Sequence, residues 1–431
     1  MKKIIIAGLA LFAIFQPAVA QAEAIQAITY IHAGRLLANP ADGRVETKKT
    51  IVVEDGHITG IRDGFVGEGK IIDLSDQFVL PGFIDGHVHL TLESGTTSRL
   101  DAVTKSITDQ ALDGVAFSRR TVRAGFTTVV DLGADPQAIN ALRDAIAAKK
   151  IIGPRIIAAG VVAVHGGHGD IHGYRQEIMD LFRASTLCSG ADDCTRAVRQ
   201  SVQQGADIIK TASTGGVMSN TTTGLGQQMS DAELSAIVET AHRLGRKVAA
   251  HAHGTDGVNA ALRAGVDSIE HGTYLDEESI RLFNKKGSYL VPTLLAGDTV
   301  TRQADEAEWM PAPIRAKART VGPLMVDALS RAYRGGVRIA FGTDSAVSAH
   351  GDNAREFALM VKAGLTPLDA IRSATIGGAD HIGLKNDIGS LAVGKVADIV
   401  AVKGDPLADV RTLEAVTFVM ARGAVVRAAG D

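Results

Sequence analysis

The sequence predicts an α/β protein: a (β/α)8 barrel carrying a small β-sandwich built from both chain ends. Three observations lead there. Short apolar, β-rich runs alternate eight times with helical patterns between residues 79 and 386. The flanking segments, 25–78 and 387–431, read instead as short strands punctuated by glycine, and neither has enough strands for a well-covered sheet alone. No glycine-rich nucleotide loop opens the alternation, which argues against an open doubly wound sheet, the main competitor.

The chain begins MKKIIIAGLALFAIFQPAVAQAEA. Lys2 and Lys3 precede an apolar run from Ile4 to Phe15, and Ala18-Val19-Ala20 is a small-x-small cleavage site. The run falls short of the roughly 20 apolar residues that a spanning helix needs. Residues 1–20 are therefore expected to be a signal peptide, the alternative being an uncleaved anchor, and the mature protein is expected in a bacterial periplasm. No later segment is apolar enough to span a membrane, so no membrane partner is expected after cleavage. A formal net charge of -3 gives no reason to expect a nucleic-acid partner. Export permits a disulfide between Cys188 and Cys194 in LCSGADDC, closing a small surface loop, with two free thiols as the alternative.

Taken in order, the first terminal segment supplies AITYIHAGRLL, TIVVEDGHITGI and GKIIDLS as strands, and the second DIGSLAVGKVADIVAVKGDPL and VTFVMARGAVVRAA. The barrel strands are FVLPGFIDGHVH, TTVVDLG, PRIIAAG, DIIKTAS, KVAAHAHG, SIEHGT, YLVPTLL and RIAFGTDS. Between them lie amphipathic stretches such as DDCTRAVRQSVQQG, SDAELSAIVETAHRLG and DEESIRLFNKKG, each ending in the glycine that commonly stops a helix.

Polar residues then collect where the strands end. His87 and His89 follow strand 1, Lys210 ends the apolar run ADIIK of strand 4, and His251 and His253 end strand 5. His271 ends strand 6 and Asp344 ends strand 8. Barrel active sites are built on that face. Side chains alternate along a strand, so His87 and His89 share one side and point together into the mouth. Neutral imidazole binds zinc and similar metals, and a carboxylate supplies a ligand oxygen or a general base. A lysine buried at a strand end is costly when charged, and burial favours its free amine. Such an amine reacts with carbon dioxide to give a carbamate, an anionic ligand that can bridge two ions. A lone HxH arises by chance on surface strands; six ligand-type residues at five strand ends do not arise so easily.

PGFIDGHVHL, the lysine in DIIKTASTGG, HAHG, SIEHG and FGTDS resemble the amidohydrolase superfamily, over essentially the whole mature chain. VVAVHGGHGD, AGVDSIEHGTYLD, SAHGDNAREFALMVKAGLTPLDAI and IGSLAVGKVADIVAVKGDPL are similar to its prolidase-like branch, which is related to imidazolonepropionase. The resemblance implies two divalent ions, zinc suiting the donors best. His87 and His89 would bind one, His251 and His271 the other, and Lys210, as a carbamate, both. Asp344 would touch the first ion and move the proton of the attacking water. HAHG itself offers two histidines; the family fills the ligand role with the first, which leaves His253 facing substrate.

The implied reaction is hydrolysis of a C–N bond at a carbonyl, on dipeptides or N-acyl amino acids, and some similar enzymes hydrolyse the amide of ochratoxin. A hydrolase of cyclic amides or lactones is the alternative, and a binding or assembly barrel the non-enzymatic one. HGGHGD contributes His165 and His168, for oxyanion stabilisation or for holding a carboxylate. His165 and His253 join Asp344 as catalytic candidates. His165, His168, His253, Tyr174, Val217 and His350 are the candidate substrate contacts, with Arg175 and His172 as weaker ones. The polar segment 218–230 is a lid candidate over strand 4, and Trp309 and Met310 either line an apolar pocket or pack on the barrel. His57 and His242 read as surface residues and His381 as a helix end. A small-molecule or dipeptide substrate and a homo-oligomer are expected.

Overall fold

A computed structural model describes residues 28–220 and 224–430; the expected signal peptide lies outside them. Eight parallel strands follow one another in sequence order: Phe83–Val88, Phe126–Asp131, Arg155–Val161, Ile208–Ala212, Val248–Ala252, Ser268–His271, Tyr289–Val291 and Arg338–Ile339. The ring closes through the backbone, Gly86 N donating to Phe341 O at 2.8 Å and His89 N to Ser345 O at 2.8 Å. Every residue of the first two strands is buried, as expected of parallel strands covered on both faces. The helices predicted over 192–205, 230–245 and 276–287 form as Ala191–Gln203, Asp231–Arg243 and Glu277–Lys286. Ser230 and Glu233 cap the second reciprocally, and Gly287, at φ 71°, stops the third.

The buried carboxylate of Asp85 helps to close the ring. It accepts from Thr343 N at 3.1 Å, Thr343 Oγ1 at 2.7 Å and Asn353 Nδ2 at 2.7 Å. Strand 1 is thereby tied to the end of strand 8, next to the two positions that carry His87 and Asp344.

The run FVLPGFIDGHVH is two strands in two sheets. Phe78–Pro81 end a long strand, Lys70–Pro81, that pairs with Ile399–Val402 in the terminal sheet. The break falls at Gly82, where a Cβ would stand 2.3 Å from Thr127 Oγ1. The terminal strands form one seven-stranded sheet, in the order Ala424–Arg427, Val416–Ala421, Ile399–Val402, Lys70–Pro81, Thr29–Leu36, Glu46–Glu54 and His57–Asp63. The sheet curls until its edge meets the segment before Ile399, with Ile58 N donating to Lys395 O at 2.8 Å. Ile31, Ile51, Leu74, Ile399 and Phe418 share the core inside the curl. The two chain ends thus fold as one continuous sheet; the expected sandwich would need two separately bonded ones.

Cys188 and Cys194 are joined in a disulfide that ties the short strand Leu187–Cys188 to helix Ala191–Gln203. The two cysteines are buried, whereas Ser189, Gly190 and Asp192 between them are exposed, so the link closes a small surface loop, as expected, and anchors the first turn of the helix.

Candidate active site

The strand ends bring His87, His89, Lys210, His251, His253, His271 and Asp344 into one cavity of about 1320 Å³. Two ligand-capable groups stand out among the described residues. The donor atoms of His87, His89 and Asp344 lie within 4.8 Å of one another, as do those of His251, His253 and His271. The groups adjoin, the rings of His87 and His271 being 5.3 Å apart. Backbone strain marks the same places: His271 (φ 73°), Thr293 (φ 49°) and Asp344 (φ 56°) hold left-handed conformations without being glycine. Each costs on the order of 1–3 kcal/mol and persists where the surroundings overrule it, typically at functional sites.

Hydrogen bonds fix which ring nitrogen each histidine offers. His89 Nδ1 lies 2.9 Å from Gly133 O, which can only accept, so Nδ1 donates there and Nε2 faces Asp344 Oδ1 at 3.1 Å. Burial lowers this imidazole, but Asp344, Asp131 and the Gly133 carbonyl outweigh it and raise it, so in the metal-free site Nε2 donates to Asp344. His87 Nδ1 meets Glu270 Oε2 at 2.8 Å, and its Nε2 lies 3.4 Å from Asp344 Oδ1. His271 Nδ1 is held by Thr293 Oγ1 at 2.6 Å and His253 Nδ1 by Thr273 Oγ1 at 2.8 Å. His251 is turned the other way, its Nε2 3.2 Å from Gly215 O, so it offers Nδ1. Proximity does not separate the two histidines of HAHG, since their rings stand 4.6 Å and 4.9 Å from that of His271.

Burial sets the charges. It holds His87, His251 and His271 well below the usual imidazole range, with help from Lys210 and neighbouring rings. These rings are neutral at pH 7, the form that binds a metal. Burial also lowers Lys210, against the pull of Glu270 and Asp344. Its Nζ is buried with no hydrogen-bond partner among the described residues. Burial pushes Asp344 up, but the imidazoles of His87 and His89 outweigh it and keep the group below the ordinary carboxylate range. An orphaned amine beside ionised carboxylate and neutral imidazoles is a donor set that fits divalent cations.

The remaining predicted residues divide. His168 lines the cavity, stacks on His251 at 4.0 Å and receives or gives a hydrogen bond at Ser219 Oγ, 2.7 Å away. Gly216 leaves it room, because a Cβ there would stand 2.3 Å from His168 Nδ1. Val217 also lines the cavity. His165 does not: it is exposed on the far side of the same loop, near Asp193, so the catalytic and substrate roles expected of it do not fit. Tyr174 is turned away as well, its hydroxyl bonded to Arg99 O and its ring under the Arg99 guanidinium. His350 packs behind strand 1, stacked on Phe117 at 4.6 Å with Nε2 2.9 Å from Leu92 O, outside the cavity lining. Arg175 is exposed beside Glu177, and His172 is bonded to Gly167 O. Trp309 and Met310 are also outside the lining.

Sequence reasoning missed two features. One is Glu270, visible as an acid inside the short buried strand SIEH. The other is the apolar wall of Val300, Val321 and Met325, supplied by the helices Leu294–Glu306 and Ala312–Arg334 between strands 7 and 8. Lys317 of the second helix donates to Gly216 O at 2.8 Å and Ser219 O at 2.7 Å, tying that wall to the loop after strand 4.

Buried imidazoles, a carboxylate and an orphaned lysine at the C-terminal mouth of a barrel suit hydrolysis, and comparison with known proteins shows the chain to be a hydrolase acting on C–N bonds. The Amidohydrolase family pattern matches residues 78–426, and the chain belongs to that family. It is 30% identical over 439 residues to the ochratoxinase of Aspergillus niger, across 94% of this chain and 87% of that protein. Among solved structures it is similar to a Xaa-Pro dipeptidase with methionine bound in its active site, at 38% identity and a TM-score of 0.87, covering 92% of this chain and 99% of that one. A prolidase complexed with N-methylphosphonate-L-proline matches at 29% identity and a TM-score of 0.83, over 93% and 100% of the two chains.

Proposed function

We propose that the protein is a two-metal amidohydrolase that cleaves the amide of dipeptides or N-acyl amino acids, ochratoxin-type amides included, and releases the C-terminal residue. The observation that carries this reading is the pair of adjoining ligand groups that share one apolar-walled cavity with the unpartnered Lys210 amine. His87, His89 and Asp344 would hold one divalent ion, His251 and His271 a second, and Lys210, as its carbamate, both; zinc suits these donors best. Bound there, the ions would supply a water acidified to near-neutral pKa and a polarised scissile carbonyl.

The side chains do the rest. Asp344, ionised at pH 7, takes the proton of the attacking water and delivers it to the leaving nitrogen. His253, which burial holds at about 3, is neutral and donates a hydrogen bond to the developing oxyanion from the nitrogen that Thr273 leaves unused. His168 stands beside His251 to meet the substrate's polar end, and Val300, Val321 and Met325 exclude water around its apolar side chain. The similar proteins, a Xaa-Pro dipeptidase, a prolidase and an ochratoxinase, support an amide bond as the target. Export through residues 1–20 belongs to the same proposal, and the Cys188–Cys194 disulfide fits an oxidising compartment.

The test is hydrolysis. Protein beginning at residue 21, loaded with zinc and bicarbonate, is offered dipeptides, N-acyl amino acids, ochratoxin A, a cyclic amide and a lactone. Free C-terminal amino acid should appear from at least one linear amide and vanish with Lys210→Ala. Turnover confined to the cyclic amide or the lactone would overturn the linear-amide reading, and turnover of none would overturn the hydrolytic proposal as a whole.

A further inference from the structure

Glu270 is an unusual residue to bury in a barrel wall. It lies in the four-residue strand Ser268–His271, is 0% exposed, and faces no Lys or Arg within ion-pair distance among the described residues. Removing a carboxylate from water without a cationic partner is expensive. Its two oxygens nevertheless have definite partners: Ser268 Oγ donates to Oε1 at 2.6 Å, and Oε2 stands 2.8 Å from His87 Nδ1. Of the imidazoles grouped at the mouth, His87 is the one whose Nδ1 faces a carboxylate; His89 has a carbonyl there, and His253 and His271 have hydroxyls.

We infer that Glu270 is a positioning residue for the ion held by His87, His89 and Asp344, an inference that rests on the two-metal reading above. An acceptor at Nδ1 fixes the proton there, leaves Nε2 bare toward Asp344, and locks the ring's rotation. An anionic acceptor also makes the opposite nitrogen a stronger donor to a cation than a neutral acceptor would. Ser268 in turn fixes the carboxylate, so the chain runs Ser268, Glu270, His87, metal. Partners of this kind typically contribute about 10–100-fold in metal affinity. Glu270 does not line the cavity, so its effect reaches the reaction through His87.

The test reads zinc affinity by competition with a chromophoric chelator, and needs no turnover. Glu270→Gln keeps the shape and removes the charge. It should weaken one of the two ions about 10–100-fold and leave the other within twofold. Placed in a His89→Ala background, where the first ion is already compromised, it should add nothing; in a His251→Ala background it should show its full effect. Equal effects in both backgrounds, or no shift in either ion of an otherwise wild-type chain, overturn the inference. If Glu270→Gln does not fold, Ser268→Ala, which leaves the carboxylate but frees Oε1, must still weaken the same ion, and an unchanged affinity overturns the inference equally. Two zinc ions bound without amide cleavage would sink the functional reading and leave the role of Glu270 standing. Cleavage with zinc affinities indifferent to Glu270 would do the reverse.

Discussion

Lys210 is buried at 7% exposure with no hydrogen bond to its amine among the described residues. A buried donor left unsatisfied costs about 1–3 kcal/mol. Lys210→Met keeps the length of the side chain and removes the donor. The metal-free, bicarbonate-free variant should therefore be more stable than wild type by about that amount in urea unfolding, while amide hydrolysis is lost. A variant that is both inactive and less stable would mean that the amine is held by the fold for structural reasons. At this level much of the site was legible beforehand: His87, His89, Lys210, His251, His271 and Asp344 each end an apolar run, and period-two alternation tells which side they face. His165 and His168 were not separable, because both sit in one glycine-rich loop, and only the packing of that loop against Ser219 and Gln228 turns His168 inward. Glu270 stood in plain view in SIEHG, but its partner His87 lies 183 positions away, a pairing that strand order alone does not give.

The helix Leu294–Glu306 forms part of the apolar wall, and its start is fixed from outside. The buried carboxylate of Glu356, on helix Arg355–Lys362, accepts from Leu294 N at 2.9 Å and Leu295 N at 2.6 Å. It thus caps a helix whose preceding residue, Thr293, makes no side-chain cap and also orients His271. Glu356→Ala should orphan both donors, at about 1–3 kcal/mol each, and lower Tm. Because Ala296, Gly297 and Val300 line the cavity from this helix, KM for an apolar substrate should rise more than kcat falls. Steady-state kinetics beside thermal melts would check it, and an unchanged Tm would refute the cap. Elements of this kind were only partly legible. Helices with a strong apolar stripe and a terminal glycine could be read, as could the eight barrel strands. The break at Gly82 was signalled by the Pro81-Gly82 dipeptide in FVLPGFIDGHVH but masked by the apolar residues on both sides of it, and the close approach of Thr127 fixes it there.

The molecule as a whole carries two opposed sets of buried groups. Burial pushes His350 and His381 to about 4, and His168 and His253 to about 3. Against an unfolded value of about 6.5, these groups make the unfolded chain the better proton binder in acid. Their contribution is present above pH 6.5 and is lost as pH falls toward 4 and 3. Burial raises Asp85 to about 7 and Glu356 to about 8, with hydrogen bonds opposing. For these carboxyls the folded state holds the proton more tightly, so their contribution is present in acid and is lost as pH rises through 7 and 8. Tm of the metal-free protein should peak near pH 6.5 and decline on both sides, in circular-dichroism melts with a chelator present. A Tm that climbs steadily to pH 9 would contradict the assignment of Asp85 and Glu356. The joining of the two chain ends into one unit was legible from their matching strand-rich texture, whereas the single curled sheet was not, because strand order depends on register between segments more than three hundred residues apart. The central claim, two metal ions held by a modified lysine, is tested most directly by elemental analysis of zinc-reconstituted protein with and without bicarbonate, beside Lys210→Ala. The account predicts about two ions per chain in wild type with bicarbonate and fewer in the variant. Equal occupancy in wild type and Lys210→Ala, or no bound metal at all, would contradict it.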